Sequence, residues 1–146
     1  MIQELIKVAL AARERAYAPY SRFRVGAALL TSGGEIYRGC NVENASYGLT
    51  CCAERAAVFN AVVSGERKFQ AIAVVSDSDD FCTPCGACRQ VLAEFGGDIN
   101  VIMCNNKGEY AECKVAELLP GYFTLDPDAD KPGHCTNTDC TNTDRR

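Results

Sequence analysis

Ile2, Leu5, Ile6, Ala9 and Leu10 recur at three- and four-residue intervals, so the opening of the chain reads as an amphipathic helix over about 2–16, ending ahead of Pro19. The period then shortens. Residues 25–30 form an apolar run closed by the turn Thr31-Ser32-Gly33-Gly34, and 35–40 return as a second strand, which predicts a hairpin. An alanine-rich stretch over 51–63, with Phe59 and Val62 among its apolar positions, predicts a buried helix capped by Thr50 and stopped by Gly65. Residues 69–76 are largely apolar without alternation and stop at Asp77-Ser78-Asp79-Asp80, the pattern of a central strand covered on both faces. Thr83 as cap and Pro84 at the first helical position predict a helix to about Phe95, stopped by Gly96-Gly97. A strand over 100–104, the turn Asn105-Asn106-Lys107-Gly108, a strand over 109–114 and a helical turn over 115–119 complete the order α-β-β-α-β-α-β-β-α.

Beyond Phe123 the pattern disappears: Asp, Pro and Thr dominate, and Cys-Thr-Asn-Thr-Asp occurs twice, at 135–139 and 140–144. The reading is one folded domain over 1–123 followed by a disordered tail over 124–146, since such a composition cannot bury a core. A formal net charge of -4 argues against a general nucleic-acid binder, which needs a clustered excess of Lys and Arg. No apolar run approaches a membrane span and no leader pattern opens the chain, so a soluble cytoplasmic protein is expected. In a reducing compartment the ten cysteines read as metal ligands and neutral thiols rather than disulfides, with Cys40, Cys51, Cys82, Cys104 and Cys113 in the second group.

The chemistry gathers at two predicted helix starts, Cys52-Ala53-Glu54 and Pro84-Cys85-Gly86-Ala87-Cys88. Cys85 and Cys88, three apart, fall within roughly 60° on one helical face and can chelate one ion. Cys52 and Glu54, two apart, would be turned roughly 160° from each other inside a helix, so their segment must straddle the helix end. Three thiolates leave one tetrahedral position open, as in a catalytic rather than a structural zinc site. With a zinc dication they sum to a net negative charge, which two helix N-termini of roughly +0.5 each can offset. Arg55 and Arg89 follow Glu54 and Cys88 directly, where guanidinium groups can donate to the thiolates. Taken alone, Cys-x-x-Cys is equally a redox pair or half of a structural zinc site.

Over nearly all of 1–123 the chain resembles the cytidine deaminase family in its small homotetrameric branch. The resemblance runs through Tyr17-Ala18-Pro19-Tyr20-Ser21, Gly39-Cys40-Asn41-Val42-Glu43-Asn44, Cys52-Ala53-Glu54-Arg55, Pro84-Cys85-Gly86-Ala87-Cys88-Arg89-Gln90 and Glu117-Leu118-Leu119-Pro120. Pro-Cys-x-x-Cys together with a glutamate that is not a ligand is the known signature of zinc deaminases. The resemblance implies an α/β fold, a three-layer α/β/α sandwich on a five-stranded mixed sheet, and one Zn2+ per subunit on Cys52, Cys85 and Cys88. It implies Glu54 as the proton shuttle, Asn41 and Glu43 at the sugar, and Phe23 against the pyrimidine. Ala53 is expected at the substrate, and Ala45, Tyr47 and Phe123 near a neighbouring subunit's site. The implied reaction is hydrolytic deamination of free cytidine or deoxycytidine. A deaminase of nucleoside antibiotics or nucleic-acid bases on the same scaffold, and a structural zinc module in which Glu54 is merely a helix-start carboxylate, are the rival readings.

Overall fold

The computed structural model describes residues 1–125. The predicted tail therefore falls outside the described residues from 126 onward. The central strand β3 (Phe69–Ser76) decides how the layers stack, because it is apolar on both sides. Ile72 and Val74 face helices α2 (Ala53–Val63) and α3 (Gly86–Phe95), while Ala71, Ala73 and Val75 face helix α1 (Ile2–Arg13). Side chains two apart on a strand share a face, so one strand serves two separate cores. Each fully buried Ile or Val contributes on the order of 1.5–3 kcal/mol relative to exposure.

Around β3 lie β1 (Val25–Thr31), β2 (Ile36–Cys40), β4 (Asn100–Cys104) and β5 (Tyr110–Lys114), in the order β2-β1-β3-β4-β5. Only β3 and β4 pair in parallel, with Ala73 opposite Ile102, and the other neighbours are antiparallel. The mixed five-stranded sheet between helical layers is the architecture expected. A short helix, α4 (Val115–Leu118), returns the chain toward α3. No helix among the described residues is long and apolar enough to cross a membrane.

Two glycines set the depth at which helices lie on the sheet. A Cβ at Gly26 would strike the Ala9 carbonyl and the Arg13 amide of α1, and one at Gly39 the Ala53 carbonyl and Ala57 amide of α2. Gly39 thus lets the helix that begins beside Cys52 rest directly on β2.

Three predicted boundaries move. The first helix stops at Arg13 rather than about Ala16, because the chain leaves it to bridge to residue 42: Tyr17 N donates to Asn41 O at 2.9 Å and Glu43 N to Tyr17 O at 2.8 Å. The second helix is capped at Cys52, not Thr50, with Thr50 extended at the end of a 3-10 turn over Tyr47–Leu49. The third starts two residues later than Thr83-Pro84 predicts: Cys85 is its N-cap, extended at φ -67 and ψ 166.

Candidate metal and active site

Both shifts bring cysteine to an N-cap. Cys52 O accepts from Ala56 N at 3.1 Å and Cys85 O from Arg89 N at 3.0 Å, so each opens the first turn of its helix while its side chain stays outside it. Cys88 then sits three residues into α3 and is fully buried. Cys52 and Glu54 straddle the start of α2, as their spacing requires. The two helix ends meet so that the sulfurs of Cys52, Cys85 and Cys88 lie within 4.8 Å of one another. Tetrahedral zinc with Zn–S distances of about 2.3 Å has S···S edges of about 3.8 Å. The Cys52–Cys85 separation is 3.9 Å, so the donor set fits that ion.

Electrostatics of the trio follow from its neighbours. Hydrogen bonding from Cys88, reinforced by Arg55 and Cys85, lowers the Cys52 thiol to about 5 against the opposing effect of burial. Cys88 is pushed up by that same pairing with Cys52 and by burial. Arg55 Nη2 donates to Cys52 Sγ at 3.3 Å, and its buried Nε has no hydrogen-bond partner. Arg89, expected beside the thiolates as well, spends its hydrogen bonds otherwise: Nε donates to Pro84 O at 2.8 Å and Nη1 to Leu118 O at 2.9 Å. It ties the residue ahead of Cys85 to the end of α4.

Glu54 is 4% exposed and sits two residues after Cys52, in the first turn of α2. Burial raises its carboxyl pKa, with the charge on Cys52 adding to the effect. It lines a cleft of about 260 Å³ together with Phe23, Asn41, Glu43, Cys52 and Cys85. Ala53 lines it too. A second cleft, of about 420 Å³, adjoins it through Ser21, Glu43 and Thr50 and is walled by Tyr20 and Tyr47, whose rings meet edge-on at 6.1 Å. Ala45 and Phe123 line neither cleft. Phe123 is instead placed along its own α3, where its carbonyl accepts from Gln90 Nε2 at 3.0 Å.

Asn41 and Glu43 do point the same way, toward the chain over 20–25. Asn41 Nδ2 donates to Phe23 O, and its Oδ1 accepts from Val25 N, both at 2.8 Å. Glu43 accepts from Tyr20 N and Ser21 N on Oε1 and from the Ser21 hydroxyl on Oε2 at 2.6 Å. The Ser21 hydroxyl keeps the Glu43 carboxyl below its ordinary value. Sequence reasoning passed over Ser21, Val25, Thr50, Cys82 and Thr83 as cleft residues. The position of Cys82-Thr83 directly ahead of Pro84-Cys85 was the available signal for two of them. All eight described cysteines are free, and burial pushes Cys82 up to about 12 and Cys104 up to about 11, which keeps these thiols neutral.

Residues 1–105 match the family model of the cytidine and deoxycytidylate deaminase zinc-binding region. The cytidine deaminase of Sporosarcina psychrophila is 54% identical over 124 residues, 84% of this chain and 91% of that one. That of Halalkalibacterium halodurans is 57% identical over 125 residues, 85% and 95%. The crystal structure of cytidine deaminase from Burkholderia pseudomallei superposes with a TM-score of 0.80 at 52% identity, covering 82% of this chain and 97% of that one. With three thiols spaced for zinc and a buried glutamate beside them, the chain belongs to the zinc-binding cytidine and deoxycytidylate deaminase family.

Proposed function

We propose that this protein deaminates free cytidine and deoxycytidine to uridine and deoxyuridine, releasing ammonia, as a pyrimidine-salvage enzyme of the cytoplasm. The observation that carries the reading is the buried Glu54 carboxyl, raised in pKa, in the cleft that also exposes Cys52 and Cys85. Cys52, Cys85 and Cys88 would hold a zinc ion, which when bound would supply Lewis-acid activation of the water consumed in the reaction. Glu54 takes a proton from that water and passes it to the ring nitrogen beside C4, then carries a second proton to the departing amine. A carboxyl that must be a base in one step and an acid in the next works best with a pKa near the working pH, which burial favours. Arg55 offsets the excess negative charge of the thiolates. Phe23 gives the base an apolar wall. Asn41 and Glu43 each retain hydrogen-bonding capacity for a sugar hydroxyl beyond the bonds they make to the chain.

The reading includes a homotetramer with shared sites. Tyr47 is 77% exposed at the second cleft with Leu49 beside it, and Phe123, 56% exposed, stands away from both clefts of its own chain, which is apolar surface suited to contacts between copies. Purified protein with cytidine tests the activity: the pyrimidine absorbance change should track ammonia release one for one. Stoichiometric zinc with no ammonia would instead support a structural zinc module.

A further inference from the structure

We propose that Ser21 is a positioning residue that joins base recognition to sugar recognition through a single hydroxyl. The inference rests on the reading just given, in which Phe23 meets the pyrimidine and Glu43 the sugar. Ser21 Oγ donates to Glu43 Oε2 at 2.6 Å and accepts from Phe23 N at 3.0 Å. A serine hydroxyl has one proton to give, and here it goes to the carboxylate that faces the cleft. The bond to Phe23 N closes a turn around Arg22, the single non-glycine residue with positive φ among the described residues, at φ 58. Left-handed backbone is sparsely populated for a side chain such as arginine and persists where its surroundings hold it. Three bonds hold it here. Arg22 N donates to Ala18 O at 3.0 Å, Phe23 N to the Ser21 hydroxyl, and Asn41 Nδ2 to Phe23 O just beyond.

The Ser21 hydroxyl is thus one of three bonds that hold the path turning Phe23 into the cleft, and the same hydroxyl is the donor to the Glu43 oxygen that the Tyr20 and Ser21 amides leave free. Ser21 lines both adjoining clefts and is exposed, so an alanine there removes nothing from either core. It touches none of the three sulfurs, and its contribution belongs to substrate binding rather than to proton transfer.

Steady-state kinetics on cytidine with zinc-loaded wild type, Ser21→Ala and Ser21→Thr test this. Ser21→Ala should raise KM about ten-fold with kcat within about two-fold, the pattern of lost uniform binding and of a hydrogen bond to a charged group. Ser21→Thr keeps the hydroxyl and should restore KM to near wild type. An unchanged KM in Ser21→Ala, a fall in kcat at constant KM, or a threonine variant as impaired as the alanine one would overturn the proposal. If wild type releases no ammonia, the functional reading is what has failed. Calorimetric binding of cytidine to the same three proteins then decides on Ser21, with the alanine variant alone weakened about ten-fold if the hydroxyl positions the site.

Discussion

Replacing Arg55 by glutamine removes the guanidinium 3.3 Å from Cys52 Sγ and leaves a shorter, uncharged side chain. A hydrogen bond to a charged partner contributes about 1.5–3 kcal/mol. At 1.36 kcal/mol per unit, that corresponds to a rise of about 1–2 units in the Cys52 thiol. The sign follows from which form zinc needs: thiolates bind it and thiols do not. Cys88, with Arg55 and Cys85, holds the Cys52 thiol below its ordinary value, which favours the thiolate that zinc needs. In Arg55→Gln the proton returns at higher pH, and zinc should leave at higher pH with it. Loss of a group that orients a ligand typically weakens metal affinity about 10–100-fold. Two measurements check this. In zinc-stripped, reduced protein, the pH dependence of Cys52 alkylation, followed by peptide mass, should have its midpoint below the ordinary thiol range in wild type and higher in the variant. Chelator competition on the loaded protein should show the drop in affinity. A variant with the wild-type alkylation midpoint and zinc affinity would show that Arg55 does not balance the thiolates.

Glu54→Ala should retain zinc while turnover falls by at least about 10²-fold, the usual contribution of a positioned acid-base group; zinc lost in proportion to activity would place Glu54 among the ligands. Phe123→Ala subunits mixed with Glu54→Ala subunits should regain partial activity if Phe123 completes a neighbour's cleft, and verified mixed tetramers that stay inactive would rule out shared sites. Asp77 is raised by burial, but bonds from Arg24 outweigh this and hold it below its ordinary value. Its stabilisation is therefore complete above the unfolded pKa of about 3.9 and lost as pH falls through the lower folded value. The melting-temperature gap between wild type and Asp77→Asn should close on acidification from pH 6, and a gap independent of pH would contradict the ion-pair account.

Much of this fold could be read without coordinates, and the reasons are local. The bounds of 69–76 and 100–104 are legible because continuous apolar runs end at Asp77 and at Asn105, polar residues whose side chains bond Arg24 and the turn over 105–109 instead of packing. The straddling of Cys52 and Glu54 followed from helix geometry alone. The start of α3 did not. Thr83-Pro84 satisfies every rule for a cap and first turn, yet Cys85 stays extended, in a segment where Arg89 holds the Pro84 carbonyl and a third sulfur waits on α2. Nor could the sequence show what Asn41 and Glu43 grip. Their alternation was visible, but their partners lie 16 to 23 residues upstream, and only the fold brings 20–25 across them. The bonds of Arg89 were hidden for the same reason: its neighbours in sequence are cysteines, whereas the Leu118 carbonyl, 29 residues later, accepts from its Nη1.

The meeting of two helix starts also bears on how long a molecule of this protein lasts. Cys52 and Cys85 are 33 residues apart, and between them lie all of α2 and the central strand. An ion shared by both cysteines would hold the two ends of that span together in the folded protein, and because it binds the assembled site rather than the open chain, its binding free energy adds to folding stability. The ion would then keep the chain folded as well as act as a reagent in the cleft. A molecule deprived of it should open more readily to proteases as well as lose the ion's chemistry, and scarcity of metal would be felt as fewer surviving copies.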